Sequence, residues 1–164
     1  MKVLLIRHAS AVPSGTPGIA DDARPLTPRG KARFRVAAQG LARIAHRPDV
    51  LLTSPLQRAR ATAGIAARAF GRLEPSVEPA LGHGSVADIV GVLSRQPADF
   101  TVAIVGHEPV LSSLLARLLG ASFGDAFAFK KGGAALVDLP GGPRAAGRLV
   151  WLIKPRILRT LAED

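Results

Sequence analysis

The sequence contains no cysteine and no tyrosine, and it has only one tryptophan and six phenylalanines in 164 residues. The absence of cysteine excludes disulfides, thiolate metal sites and phosphatase mechanisms that use a cysteine nucleophile. Any chemistry must therefore use histidine, serine or carboxylate side chains. No apolar stretch is long enough to span a membrane, and none has the cleavage pattern of a signal peptide, so we expect a cytoplasmic protein.

Acidic residues are also scarce. The chain has 12 Asp and Glu against 22 Lys and Arg, which gives a formal net charge of +10. This charge suggests nucleic-acid binding, but most of the basic residues are arginines spread along the chain without a dense block, and few aromatic residues could stack on bases. A positive field that attracts phosphorylated or acidic partners is the better interpretation, and we do not expect nucleic acid to be the ligand.

Residues 2–10 are the most informative stretch, because a short apolar run there ends in Arg7 and His8. A short run rich in Val, Leu and Ile predicts a buried parallel strand with the polar pair at its carboxyl end. In α/β sheets ligands bind at that end. Arg7 offers a positive fork for an anion and His8 a nucleophilic nitrogen, although a strand that simply ends at the solvent is the alternative.

The first predicted helix follows a loop. Thr27 before Pro28 has the pattern of an N-cap and a first helical residue, and apolar residues continue at helical spacing to about His46. Arg24 lies just ahead of this cap. The spacing alone is equally consistent with an anion-binding residue and with a solvated loop arginine.

A second apolar strand is predicted over residues 49–53. The Ser54-Pro55 pair after it repeats the pattern of a helix cap, and the helix is predicted over residues 56–70. This helix carries Arg58 near the end of the strand. We therefore expect Arg58 at the same edge of the sheet as Arg7 and His8.

A third strand, over residues 101–106, again ends in a histidine, His107. Pro109 then opens a helix over residues 110–119, and the dipole of that helix favours anions near His107. The remaining predicted elements are a loop over 71–85, a helix over 86–93 and a closing β-hairpin with strands over 134–139 and 149–153.

These elements predict an α/β fold, a three-layer α/β/α sandwich with a mostly parallel central sheet and a C-terminal β-hairpin. Because parallel strands end at one edge, two histidines and two arginines can converge there on one pocket. Two histidines could instead bind a metal. The sequence has no third ligand at a paired spacing, however, and the arginines would repel a cation, so we expect neither a metal nor another cofactor.

Four motifs occur together in order along the chain: Leu5-Ile6-Arg7-His8-Ala9, Arg24-Pro25-Leu26-Thr27, Ser54-Pro55 with Arg58-Ala59 and Thr62-Ala63, and Gly106-His107-Glu108-Pro109. With these motifs the sequence resembles the histidine phosphatase superfamily, also called phosphoglycerate-mutase-like. The short length and the direct entry into the second motif are most similar to its SixA-type phosphohistidine phosphatase branch. The resemblance implies a phosphoglycerate-mutase-like fold and a single domain, residues 1–164, without a large cap insertion.

The resemblance also implies roles for particular residues. His8 would take the phosphoryl group and form a phosphohistidine that water then hydrolyses. Arg7, Arg58 and His107 would form the phosphate pocket, with Arg24 beside the phosphate. Further candidates for substrate binding are Ser10, Thr62, His83 and Glu108.

Opposite protonation states are expected for the two histidines. The arginines should lower the pKa of His8, and its second nitrogen should be held as a donor so that the attacking nitrogen is free. A bound phosphate dianion should raise the pKa of His107 and favour its doubly donating form.

Two positions depart from the family pattern. Ala9 stands where glycine is usual, and His83 stands where mutases and many monoester phosphatases place a glutamate acid. Nearby candidates for that acid are Glu78, Asp88 and Glu108. An acid-poor pocket suits phosphohistidine, because its leaving nitrogen is readily protonated, whereas an alkoxide needs a strong acid.

The leading hypothesis is a metal-independent phosphatase that hydrolyses phosphohistidine on a protein partner and releases inorganic phosphate. One alternative is a phosphomonoesterase for a small phosphorylated metabolite, with Glu78 or His83 as the acid. Another is a non-catalytic basic adaptor that binds phosphate groups. Lys130 and Lys131, before the hairpin, are expected to be a solvated pair and not substrate contacts.

Overall fold

A computed structural model describes residues 1–122 and 124–163, apart from the side chains of residues 124 and 125. Its strands are β1 (Lys2–Arg7), β2 (Val50–Thr53), β3 (Ser76–Val77), β4 (Thr101–Gly106), β5 (Ala134–Asp138) and β6 (Arg148–Ile153). Its helices are α1 (Pro28–Ile44), α2 (Gln57–Ala69), α3 (Ala80–His83), α4 (Val86–Ser94), α5 (Val110–Leu119) and α6 (Pro155–Glu163). Short 3-10 turns lie at Asp21–Ala23 and Gly124–Phe127.

The strands form one mixed sheet in the order β3-β2-β4-β1-β5-β6. β1, β2, β3 and β4 run parallel to one another, whereas β5 lies antiparallel to β1 on its other side and also antiparallel to β6. The register sets Arg7 opposite Gly106. The carboxyl ends of β1, β2 and β4 therefore meet at one edge, as the sequence predicts.

Helices cover both faces of the sheet, which confirms the predicted α/β/α sandwich. Alternate residues of β1 enter two separate cores. Leu4 and Ile6 pack with residues of α1, α2 and α6, whereas Val3 and Leu5 pack with residues of α4 and α5. All four side chains are fully buried, and a strand buried on both faces needs the continuous apolar run seen in its sequence.

The caps and apolar spacing in the sequence predicted the ends of most helices to within two residues. The Thr27 side chain accepts a hydrogen bond from the Gly30 N–H, and α1 ends at Ile44 and not at about His46. The predicted Ser54 cap is wrong, because the N-cap of α2 is Leu56. The Ser54 hydroxyl instead accepts a hydrogen bond from the N–H of Leu56, two residues later and just before α2 begins.

Three elements were not predicted. The segment predicted as a loop over 71–85 contains β3 and α3, and the chain after the hairpin forms α6. Helix α6 packs so closely on α1 that a Cβ at Gly40 would collide with the carbonyl oxygen of Leu158. In the described part of the chain, none of the helices is both long and apolar enough to cross a lipid bilayer. The cytoplasmic location stays a prediction.

Candidate active site

Two histidines meet at the edge where β1 and β4 end. His8 follows β1 and His107 follows β4, and the His8 N–H extends the strand pairing by donating to the Gly106 carbonyl at 3.0 Å. The two imidazole rings lie 5.0 Å apart between centroids and are tilted by 50°. Adjacent parallel strands thus bring together residues that are far apart in sequence.

The hydrogen bond of the His8 ring fixes its tautomer. Nδ1 lies 2.7 Å from the carbonyl oxygen of Ala9, and because a carbonyl can only accept, Nδ1 carries the proton. In the neutral ring Nε2 is then an unprotonated nitrogen with a lone pair. Burial lowers the pKa of His8 to about 4, and the charges of Arg58, Arg7 and Lys131 add to this effect. The ring is neutral, as expected for His8, but burial and not the arginines is the main cause.

Arg58 reaches the site from the first turn of α2 and is held there by Asp21. Its Nη1 donates to the Asp21 carbonyl at 2.8 Å, and its Nη2 lies 3.3 Å from the Asp21 carboxylate. The same carboxylate accepts a hydrogen bond of 2.8 Å from Nε of Arg24, whose Nη1 donates to the Val12 carbonyl. One acidic residue therefore holds both guanidinium groups in place.

Arg7 is positioned by the loop before β5. Its Nη1 donates to the Phe129 carbonyl, and the Phe129 N–H donates to Oε1 of Glu108 at 2.8 Å. Burial lowers the pKa of Arg7, an effect that the nearby Glu108 carboxylate opposes. With an arginine's ordinary pKa far above neutrality, Arg7 remains a cation.

His107 pairs with Ser54 across the ends of β4 and β2, with Nε2 2.7 Å from the serine hydroxyl. The pKa of His107 is lowered to about 3, mainly by burial and then by repulsion from a protonated His8 and from Arg58. Three buried nitrogens of this cluster have no hydrogen-bond partner among the described residues: Arg7 Nε, Arg58 Nε and His107 Nδ1. Unpaired buried donors are costly and tend to mark functional sites.

This arrangement suits phosphoryl transfer. A neutral imidazole stands among fixed guanidinium groups that can hold the equatorial oxygens of a phosphate while Nε2 attacks phosphorus. Among the side chains that the structure describes, no three from His, Asp or Glu cluster as a metal site would require.

Comparison with known proteins gives the family. The sequence model of the histidine phosphatase superfamily (branch 1) matches residues 3–92, which is more than half of the chain. This chain belongs to the histidine phosphatase superfamily. An uncharacterized protein of Picosynechococcus is 34% identical over 137 residues, which cover 81% of this chain and 82% of that protein. As a member of the superfamily the chain is a phosphatase.

Solved structures agree with this assignment. A crystal structure described as a candidate phosphohistidine phosphatase SixA from Agrobacterium tumefaciens is 26% identical, with a TM-score of 0.79 over 94% of this chain and 97% of its own. The protein histidine phosphatase SixA complexed with tungstate is 25% identical, with the same TM-score of 0.79 over 96% and 99%. These likenesses confirm the resemblance to the SixA-type branch.

The structure places some of the predicted site residues together and others apart. It brings His8, Arg7, Arg58 and His107 together, and Arg24 reaches the cluster through Asp21. The structure contradicts the expected contact of Thr62 with substrate. It is fully buried, donates to the Arg58 carbonyl at 2.7 Å and accepts from the Ala9 N–H at 3.0 Å, so it holds the backbone beside His8 and does not face substrate.

Glu108 has a structural role at this site, and its contact with substrate stays a prediction. Its Oε2 accepts a hydrogen bond of 2.6 Å from the Ser112 hydroxyl, and its Oε1 accepts the one from Phe129, so the carboxylate joins α5 to the loop that holds Arg7. Ser10 and His83 are exposed. His83 lies 3.7 Å from the Asp22 carboxylate, and contact of either residue with substrate stays a prediction.

Asp21 is the site residue that sequence reasoning missed. It lies three residues before Arg24, a spacing that could have suggested their ion pair. Its bond to Arg58 spans 37 residues and had no local signal. The role of Ser54 was also missed, since a residue interpreted as a helix cap is the hydrogen-bond partner of His107.

Proposed function

We propose that this phosphatase removes the phosphoryl group from phosphohistidine on a protein partner through a covalent phosphohistidine at His8. In the first step Nε2 of His8 bonds to phosphorus as the phosphorus–nitrogen bond of the substrate breaks, and the leaving imidazole takes up a proton. In the second step water attacks phosphorus, the bond to Nε2 breaks, and inorganic phosphate leaves. We also propose that residues 1–164 act as one domain without a large cap.

The observation that carries this proposal is the state of His8. Its Nδ1 proton is committed to the Ala9 carbonyl, its pKa is far below neutrality, and the charges of Arg7, the preceding residue, and of Arg58 in α2 act on it. A base is not needed to activate such a nitrogen near pH 7, because its lone pair is already free. Charge-assisted hydrogen bonds from Arg7, Arg58 and His107 would stabilise the phosphoryl group during both steps.

The candidate acids support the substrate class. Asp88 forms a capping box with Ser85 at the start of α4, and those hydrogen bonds lower its pKa, so it is a poor proton donor. The carboxylate of Glu108 is held by Ser112 and Phe129. A site with few free acids favours a leaving group that accepts a proton readily, as the nitrogen of phosphohistidine does and an alkoxide does not.

The position of Glu78 is consistent with the alternative of a phosphomonoester substrate. It follows β3 at the active edge of the sheet, where its N–H donates to the Thr53 carbonyl at 2.8 Å. One carboxylate oxygen accepts a hydrogen bond of 3.1 Å from the Ala80 N–H. If Glu78 acted as a general acid, a small phosphorylated metabolite would be the substrate.

Acid-quench trapping with a phosphorus-labelled phosphohistidine protein tests the chemistry. The label should appear on His8 as an acid-labile, base-stable adduct. His8→Asn should abolish the adduct and lower kcat by about 1,000-fold or more, since the nucleophile is lost. The exposed His46→Asn is the matched control and should keep both.

A substrate panel tests the substrate class. Activity on the phosphohistidine protein should exceed that on sugar and nucleotide monoesters, and Glu78→Gln should change it by less than about threefold. Faster turnover of one monoester, with loss of that activity in Glu78→Gln, would favour the metabolite phosphatase. Binding of phosphate compounds without any turnover would favour the adaptor.

A further inference from the structure

A cavity of about 250 Å³ opens beside the nucleophile and is surrounded by basic side chains. It lies between α1, the loop before β5 and the start of α6. Ala9 and Ser10, the two residues after His8, form part of its wall, but His8, Arg58 and His107 do not line it. We name it the basic cavity, after its six cationic residues: Arg33, Lys130, Lys131, Lys154, Arg156 and Arg159.

We infer that the basic cavity docks an acidic segment of the phosphorylated partner protein, next to the phosphohistidine that enters the active site. This inference rests on the proposed function and adds a recognition surface to it. It also revises the expectation that Lys130 and Lys131 are merely solvated.

The loop that carries two of the cations is fixed to the nucleophile. The Gly132 N–H donates to the carbonyl groups of both Arg7 and His8 at 3.1 Å, and the Arg7 N–H donates to the Gly133 carbonyl at 3.0 Å. Gly132 has a φ of +79°, which favours glycine, and a Cβ there would press on the Phe34 ring. The backbone of Lys130 and Lys131 is therefore held close to His8.

The other cations are held by helix packing. The close approach of Leu158 to Gly40 locks α6 onto α1, and this contact sets Arg156 and Arg159 beside Arg33 of α1. Three segments distant in sequence thus contribute charge of one sign to one concave surface. Such convergence raises the local potential far above that of scattered surface charges.

The charges are free to bind an external anion. No acidic residue lines the cavity, and within the described side chains none of the six cations forms an ion pair. Lys131 is close enough to act on the charge of His8. An anion in the cavity would therefore lie near the phosphoryl group, on the same partner molecule.

The composition of the walls distinguishes between possible polyanions. Proteins that bind single-stranded nucleic acid use exposed aromatic rings on which bases stack, but the aromatic residue in the cavity wall, Phe34, is only 2% exposed. Five of the six cations are exposed, Arg159 being half-buried, and flexible exposed cations suit the carboxylates of a protein surface better than one small ligand. An acidic protein segment is therefore the best fit.

The double variant Arg156→Ala/Arg159→Ala tests the inference against Arg68→Ala/Arg95→Ala, which removes the same charge from exposed positions outside the cavity wall. The measured quantity is kcat/KM on a phosphohistidine protein with acidic flanking residues, divided by kcat/KM on free phosphohistidine. We expect this ratio to fall on the order of tenfold in the cavity variant, mainly through KM, and to stay within about twofold in the control.

Direct binding separates this inference from the proposed function. A fluorescent, unphosphorylated Asp- and Glu-rich peptide should bind the wild-type chain and lose affinity on the order of tenfold in the cavity variant. If the peptide binds in this way but phosphohistidine is not hydrolysed, the docking surface stands and the proposed function fails.

Several results would overturn the docking surface. These are an equal loss of kcat/KM on both substrates, an equal loss of the ratio in the control variant, and a peptide affinity that the cavity variant leaves unchanged. Tighter binding of a single-stranded oligonucleotide of equal charge than of the peptide would assign the cavity to nucleic acid instead.

Discussion

Burial controls the two active-site histidines more than charge does. The arginines lower the pKa of His8 in the expected direction, yet removal of the ring from water is the larger cause for both His8 and His107. Both rings are therefore neutral near pH 7 before substrate binds. The expected rise in the pKa of His107 concerns the phosphate-bound site and stays a prediction.

These lowered pKa values predict how stability depends on pH. The folded chain holds His8 neutral down to about pH 4 and His107 to about pH 3, whereas an unfolded histidine takes up a proton near pH 6.5. Between pH 6.5 and 4 the unfolded state binds more protons, so the free energy of unfolding falls as the pH is lowered through this window. Urea unfolding at pH 7 and 4.5 should show a loss of about 5 kcal/mol, roughly half from each histidine.

Two variants test whether the active-site histidines cause this loss in the free energy of unfolding. His8→Asn removes one of the two shifted groups, so its stability should depend less on pH than that of the wild-type chain. The exposed His46→Asn should keep the full dependence. A wild-type stability that is flat between pH 6.5 and 4.5 would show that the histidines are not held neutral by the fold.

Asp21 provides an internal anion in the proposed phosphate pocket. Its carboxylate binds Arg24 and Arg58, and hydrogen bonds from Ser14 and Arg24 lower its pKa. A substrate phosphate would share these guanidinium groups with it. The carboxylate orients Arg58 toward the strand ends without neutralising the site, since Arg7 and Arg24 keep the local charge positive.

At the scale of elements, the contact between α1 and α6 shows how one glycine joins two helices. Gly40→Ala would place a Cβ against the Leu158 carbonyl, so one helix must shift. We expect a loss of about 1–3 kcal/mol in the free energy of unfolding, measured by urea denaturation, because overpacking forces the backbone apart.

Gly64→Ala in α2 is the matched control for this substitution. A Cβ at Gly64 meets open space, so alanine should raise the free energy of unfolding by about 0.5–1 kcal/mol through better helix propensity. An equal stability change in the two variants would mean that the close helix approach contributes nothing.

The elements also differ in how well they could be predicted. Helix α1 carries its own start signal, because the Thr27 side chain bonds to the Gly30 N–H three residues later. Strands β1 and β4 are continuous apolar runs because helices cover both their faces. Strand β3 is only two residues long, and both are exposed. It pairs with β2 at the edge of the sheet, so its sequence shows no alternating or continuous apolar pattern.

At the scale of the whole molecule, the net charge of +10 should speed encounter with an acidic partner. The Debye length shrinks from about 30 Å at 0.01 M salt to about 8 Å at 0.15 M. We therefore expect kcat/KM on a phosphohistidine protein to fall about tenfold or more between these salt concentrations. Stopped-flow binding should place this change in the association rate, and a rate independent of salt would contradict it.

The sequence by itself determined most of the elements and the family. Apolar runs, helix caps and the Arg7-His8 and Gly106-His107 motifs are contiguous, so the residues that define each of them are neighbours in the chain. This is why the α/β/α order, the nucleophile candidate and the arginines were predicted.

Only the tertiary structure decided which partner each of these residues meets. Arg7 bonds to a carbonyl 122 residues away, Asp21 holds Arg58 across 37 residues, and Lys130 and Lys131 meet α6 at a cavity beside His8. The burial that sets the pKa values of both histidines likewise depends on helices and strands packed from the whole chain. Such contacts leave no periodicity in the sequence, because their geometry exists only once the sheet and its helices have assembled.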